Sequence, residues 1–209
     1  LMNLTRRHVL ITGGAGHIGS AVGEALAELG ATVSLLDIDR DQCQQTMDTF
    51  PREDQTTGVA LSCNLLDEQE TRSTIRNAIS AIGRLDMLVH CAAYVGTTKA
   101  PGWAVPFEEQ SVEAWDAAIR VNLTAAFVLV QEAKDTLASS GHGSVILLGS
   151  TYGLVGPDMS LYDGTSMANP AGYGASKGGV IQLTRYLATV LAPKVRVNSV
   201  TPGGLWRDQ

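Results

Sequence analysis

The chain has 209 residues, 44% of them hydrophobic, enough for one substantial core and short for two domains. A formal net charge of −6 argues against a nucleic-acid or anionic-membrane surface, since both need concentrated positive charge. Cys43, Cys63 and Cys91 form no CxxC pair, so neither a disulfide framework nor a zinc site is expected, and a reducing cytoplasm fits best. The opening LMNLTRRHVLITGG offers only Val9 to Ile11 as an apolar run, far short of a secretory or spanning segment.

That opening reads instead as a first strand, HVLIT (8–12), stopped by glycines. Ile18, Val22, Leu26 and Leu29 then recur near helical spacing, with Gly30 as a stop, and TVSLLD (32–37) completes a βαβ unit. The polar stretch Asp39 to Asp48 is predicted helical and GVALSCN (58–64) a third strand. Asp67 through Ile82 reads as a helix capped by Asp67, with Glu70 completing a capping box. DMLVHCAA (86–93) is nearly all apolar, as a strand covered on both faces should be. After a loop over 95–110, one long helical segment runs from Ser111 to about Leu137, and SVILLGS (144–150) is strand five. A Gly-, Pro- and Asp-rich loop (152–172), a helix from Gly174 to about Leu191, and KVRVNSV (194–200) finish the chain. Strict alternation predicts an α/β fold: parallel strands with right-handed crossovers, helices on both faces of one doubly wound sheet, and a ligand beyond the C-terminal strand ends. One domain over 1–209 is expected.

TGGAGHIG (12–19) sits between the first strand and its helix, where Gly13, Gly16 and Gly19 have distinct tasks. The first allows a tight turn, the second admits a pyrophosphate to the backbone, and the third lets helix pack on strand, so the helix N-terminus faces the anion. Asp37 ends strand two, placed to accept hydrogen bonds from both hydroxyls of an adenosine ribose and to repel a 2′-phosphate. NAD is therefore favoured over NADP. Asp39 could share or take that role, and Arg40 keeps NADP open.

A second constellation is YGASK, Tyr173 to Lys177, whose end residues share a helix face. A free tyrosine titrates near pH ~10, and a neighbouring ammonium stabilises its phenolate, which makes the pair a proton-transfer device. With TGGAGHIG, LVHCAA, RVNL, LLGST and RVNSVTPGG in order along nearly the whole chain, the sequence resembles the short-chain dehydrogenase/reductases. The resemblance implies a Rossmann-type fold in three layers, α/β/α, with Tyr173 as the acid/base and Lys177 on the nicotinamide ribose. Ser150 would bond the reacting oxygen and Asn122 would hold a water in the proton relay. It further implies cofactor contacts at His17 and Ile18 beside the three glycines, Asn64 and Leu65 flanking the adenine, Ala92 and Ala93 near the adenosine ribose, and Pro202 with Gly203 beside the nicotinamide. Read singly, Asn122 could bridge a helix bend to the sheet and Ser150 could cap a strand end. No metal is expected, since the four histidines lack ligand spacing.

His17 and His90-Cys91-Ala92-Ala93 depart from the compact branch of that family and look more like its extended branch. The ending RVNSVTPGG resembles compact members, and the stop at Gln209 suggests that a later segment is missing. The insertion between Ser150 and Tyr173 could line a substrate pocket with Asp158, Asp163, Thr165 and Ser166, a wall suited to a polyol or sugar derivative. LYDGTSM-ANPAGYGASKGG and RYLATVLAPKVRVN look similar to bacterial oxidoreductases of surface-sugar or flagellin-modification pathways. The expected activity is hydride transfer between NAD(H) and an alcohol/carbonyl pair on a small molecule. Its rivals are a nucleotide-sugar epimerase or dehydratase with tightly bound NAD, which net NADH production would exclude, and a noncatalytic dinucleotide-binding protein, which would not need the Ser/Tyr/Lys/Asn set. The family implies a homodimer or homotetramer packed through the long helices.

Overall fold

Six strands line up in the order β3-β2-β1-β4-β5-β6, every neighbouring pair parallel, in a computed structural model that describes residues 3–51, 58–95, 98–165 and 168–205. In chain order the elements are β1 (His8–Thr12), α1 (His17–Glu28), β2 (Thr32–Asp37), α2 (Arg40–Asp48), β3 (Ala60–Ser62) and α3 (Glu68–Ile82). There follow β4 (Met87–His90), α4 (Val112–Ile119), α5 (Ala125–Ser139), β5 (Gly143–Leu148), α6 (Ala171–Leu191) and β6 (Val195–Val200). The strand order reverses between β1 and β4, which opens a crevice at their C-terminal ends.

Alternate residues of the central strands bury opposite faces. Leu10, Leu88, Val145 and Leu147 pack with Ile75 of α3, Leu129 of α5 and Val180 of α6. Val9, Ile11, Val33 and Leu35 pack with Ala27 of α1 and with Cys43 and Met47 of α2. The result is the expected three-layer α/β/α arrangement. Full burial of each such aliphatic side chain is worth roughly 1.5–3 kcal/mol, so the paired clusters rather than helix propensity hold the layers. At the opposite rim, Asp86 is fully buried, accepts from Arg84 and Arg7 and takes the backbone N–H of His8. Burial alone would push this carboxyl up, but the guanidinium of Arg84 and the His8 N–H hold it below its ordinary value.

Several boundaries differ from the sequence pattern, each for a local reason. Strand three pairs only over Ala60–Ser62, because its partner β2 ends at Asp37. Strand four stops at His90, and Cys91 to Val95 run on as irregular backbone. Asp67 does cap α3 by accepting from Glu70 N, but no capping box closes: the Glu70 carboxylate takes the N–H of Asn64, while Asp67 N bonds the Asn64 carbonyl. The long helical segment is interrupted by a π-helical turn at Arg120–Thr124, between α4 and α5. The last helix begins at Ala171, so Tyr173 lies in its first turn.

Candidate active site

The loop after β1 is shaped by close approach to the end of β4. Gly13 has φ +65°, and a Cβ there would stand 2.5 Å from the backbone N of Ala92. Only glycine both adopts that conformation and leaves the room. Gly16 is the N-cap of α1 and supplies no side-chain cap, so the first N–H groups of the helix are left for an anion. His17 is exposed and Ile18 half-buried against the α1/α2 face, while Gly19 is buried against the Gly13 carbonyl. Asp37 accepts from Ala15 N at 3.2 Å and from Ile38 N at 2.8 Å, which ties the carboxylate to the glycine loop. Each oxygen retains a second lone pair for a hydroxyl. Asp39 serves as the N-cap of α2, its Oδ1 accepting from Gln42 N.

Asn64 and Leu65 follow β3. Asn64 is exposed beside an open cavity of about 460 Å³ shared with Leu66, Asp67 and Arg120. Leu65 is 7% exposed and packed into the core, so what it can offer a ligand is backbone. Ala92 and Ala93 are half-buried after β4, and Pro202 with Gly203 follow β6. Every position expected to contact the cofactor thus follows the C-terminal end of a strand or opens the helix after it. The residues present fit a dinucleotide: a glycine cradle, an uncapped helix end and a carboxylate are its ordinary partners.

The residues expected to transfer protons come from the end of β5, the π turn and α6. Ser150 follows β5 and opens a short helical turn over Thr151–Gly153; its Oγ accepts from Tyr152 N. That turn lies directly on α6, because a Cβ on Gly153 would stand 2.7 Å from the carbonyl carbon of Lys177. Thr151 N in turn donates to the carbonyl of Pro202, joining the β5 and β6 ends. Lys177 is 3% exposed, donates to the Leu148 carbonyl at 2.7 Å, and its Nζ lies 5.7 Å from the ring centre of Tyr173. Burial lowers its pKa to about 8.

Asn122 is fully buried within the π turn. Its amide accepts from Tyr94 N at 2.6 Å and donates to Tyr94 O and to Ser176 Oγ, pinning the segment after β4 to α6. Beneath it, His90 shares a 2.8 Å hydrogen bond with Thr12 Oγ1 through Nδ1, while Nε2 faces the backbone of Val121 and Asn122 without reaching hydrogen-bond geometry. Burial, aided by the charge of Lys177, holds this imidazole neutral with a pKa of about 4. Burial likewise pushes the Cys91 thiol up to about 12, which makes it no nucleophile.

The sequence pattern missed four contributors. Trp103, 1% exposed in the predicted loop, packs with Tyr173 and stands edge-on to Tyr94 at 5.7 Å. Ser176, inside YGASK itself, holds Asn122. Tyr152 and Tyr162 join through their hydroxyls at 2.9 Å. Of the polar residues expected to wall the pocket, Asp158 binds Ser160 N and Oγ and Thr165 Oγ1 bonds the Tyr162 carbonyl, so both hold the insertion's own turns; Asp163 is exposed and Ser166 lies outside the described residues.

The family model described as short chain dehydrogenase matches residues 7–206. A tropinone reductase homolog of Arabidopsis thaliana is 36% identical over 198 residues, 92% of this chain and 66% of its own. The 2,5-dichloro-2,5-cyclohexadiene-1,4-diol dehydrogenase of Sphingobium indicum is 30% identical over 203 residues, 97% of this chain and 74% of its own. Among solved structures, NAD⁺-bound xylitol dehydrogenase superposes with a TM-score of 0.77 at 27% identity, over 96% of this chain and 71% of that one. The chain therefore spans only 66% to 74% of the length of these two curated relatives. It belongs to the short-chain dehydrogenase/reductase family. As in other members, its activity is that of an oxidoreductase acting between alcohols and carbonyls with a nicotinamide nucleotide.

Proposed function

We propose that the chain oxidises or reduces a polar, sugar-like alcohol/carbonyl pair with NAD(H), Tyr173 serving as acid/base. The observation that carries this reading is the Lys177 ammonium, buried beside the Tyr173 ring with the Ser150 turn lying on the same helix. A bound nicotinamide supplies the hydride acceptor or donor. In the oxidative direction the Tyr173 oxygen takes the hydroxyl proton, Ser150 Oγ orients the reacting oxygen, and the Lys177 ammonium lies beside the Tyr173 ring. The proton leaves by way of Lys177 and the π turn around Asn122. In reduction the Tyr173 hydroxyl returns a proton to the carbonyl oxygen.

Asp37 favours NAD over NADP, since its carboxylate meets a ribose hydroxyl well and a 2′-phosphate badly. The glycines, His17, Ile18, Asn64, Leu65, Ala92, Ala93, Pro202 and Gly203 make up the rest of the cofactor wall in this reading. Exposed Trp115, Phe127, Tyr186 and Val190 on α4, α5 and α6 support a homodimer or homotetramer packed through those helices. The three free cysteines suit a reducing cytoplasm. A role in carbohydrate metabolism, in surface-sugar or flagellin modification, rests on the likeness of the LYDGTSM and RYLATVL segments alone.

The experiment is Tyr173→Phe in a screen of NAD⁺ reduction over sugars, sugar phosphates and nucleotide-sugars. Turnover is expected to vanish while NADH still binds. Turnover that survives the change overturns the mechanism.

A further inference from the structure

Two phenols that the proposed mechanism does not use stand beside the one it does. Tyr162 Oη and Tyr152 Oη are 2.9 Å apart, and Asn169 Nδ2 donates to Tyr162 Oη at 3.4 Å. The amide nitrogen donates, and the bond between the two phenols runs from Tyr162 to Tyr152. Asn169 donates to Tyr162, Tyr162 donates to Tyr152, and the hydroxyl hydrogen of Tyr152 is left over. Among the described residues nothing accepts it. Both rings are half-buried. Burial pushes the Tyr162 phenol up, with its bond to Tyr152 and the nearby Tyr173 adding to the effect, so it stays a protonated donor.

The position of this spare donor is fixed by the active-site turn itself. Tyr152 lies two residues after Ser150, its own N–H bonds Ser150 Oγ, and its carbonyl lies 3.1 Å from where a Cβ on Gly174 would stand, next to Tyr173. The Ser150 turn is therefore packed on α6 through Tyr152 and Gly153. A donor without an acceptor among the described residues, half-buried beside the reacting centre, calls for an acceptor on the ligand.

We propose that Tyr152, oriented by Tyr162, is a specificity residue that donates to a second oxygen of the substrate, so that the protein discriminates diols and hydroxyketones from simple alcohols. This rests on the oxidoreductase reading above and deepens it. Losing a hydroxyl partner in a site built to bond it costs more than losing a methylene in an apolar one, so the preference is read as a ratio.

The test compares kcat/KM for cyclohexanol with that for cyclohexane-1,2-diol and cyclohexane-1,3-diol, using the full chain with NAD⁺ and with NADP⁺. The native protein is expected to favour at least one diol by about tenfold, through KM more than kcat. Tyr152→Phe is expected to bring that ratio close to unity, and Tyr162→Phe to lower it by about threefold through loss of the orienting donor. A purely structural role for the phenols would depress both alcohols equally and leave the ratio unchanged, which overturns the proposal. So does native turnover of cyclohexanol with no diol preference, and that outcome leaves the oxidoreductase reading standing. Failure to turn over any of these alcohols, or any member of the sugar panel above, with either nucleotide overturns both. Should Tyr152→Phe not fold, the Tyr162→Phe ratio decides.

Discussion

Lys177 Nζ donates to the carbonyl of Leu148 at 2.7 Å, so a buried cation ties the end of β5 to the second turn of α6. Its charge is held against the cost of burial, which lowers the pKa from 10.5 to about 8. Between those two values the unfolded chain keeps a proton that the folded one has released, so this group makes stability rise with pH across that window. The buried thiols act oppositely at the alkaline end, since Cys43 and Cys91 are raised from 9.0 to about 12 and the unfolded chain ionises first. The difference between native protein and Lys177→Met cancels the thiols. Denaturant unfolding at intervals from pH 7.5 to 10.5 is expected to show the native protein gaining on the variant as pH rises. A difference flat with pH would mean that Lys177 is not held as a costly cation. The same variant is expected to lose at least about 10²-fold in kcat/KM for carbonyl reduction.

Gly153 carries a second expectation. A Cβ at this position meets the backbone of Lys177 and Gly178 at 2.7 and 2.8 Å, and main-chain atoms within a helix cannot turn aside. Gly153→Ala must therefore lift the turn that begins at Ser150 away from α6, separating it from Tyr173. A displacement of ~1 Å at a reacting centre costs about 10²-fold in rate, so kcat should fall by that order. Dinucleotide affinity should change less than threefold, since the Gly13 loop lies across the crevice from this contact. Stopped-flow kinetics with cofactor titration would separate the two, and an unaltered kcat would show that the contact does not position Ser150.

The alternation of strands and helices was legible in the sequence because each strand is short, apolar and ended by a turn residue: HVLIT and TVSLLD coincide with β1 and β2 residue for residue. The placement of candidate residues was legible where the backbone itself dictates a glycine, as at Gly13, or where two side chains share one helix, as with Tyr173 and Lys177. The π turn was not. RVNLT contains no glycine or proline, and what stabilises the turn is the bonding of Asn122 to Tyr94 and Ser176, residues 28 and 54 positions away. The Tyr152 and Tyr162 pair was hidden for a related reason, since the loop between them lacks periodicity and only the fold brings their hydroxyls together. Asp158 was expected in a ligand wall, and in the structure its Oδ1 also accepts from Ser160 N and Oγ, which holds the local turn.

We propose that coenzyme preference rests on Asp37, which is tied to the glycine loop, rather than on Asp39, which caps α2. Asp39 caps α2 through Gln42 N, whereas Asp37 faces the glycine loop and bonds Ala15 N. Arg40 at the head of α2 reaches Asp41 only at 3.9 Å, with both side chains exposed, a pair worth little and easily surrendered to a phosphate. Asp37→Ser removes the like charge that a 2′-phosphate would meet and leaves Arg40 in place. The ratio of kcat/KM for NADP(H) over NAD(H) is expected to rise by about 10²-fold, the direction set by charge and the magnitude by a partly screened contact. Asp39→Ala should instead leave the ratio within about threefold and cost about 1 kcal/mol of stability through the lost cap. Should Asp39→Ala shift the ratio more than Asp37→Ser, the ribose would belong to Asp39, and its bond to Gln42 N would have to open when the nucleotide binds.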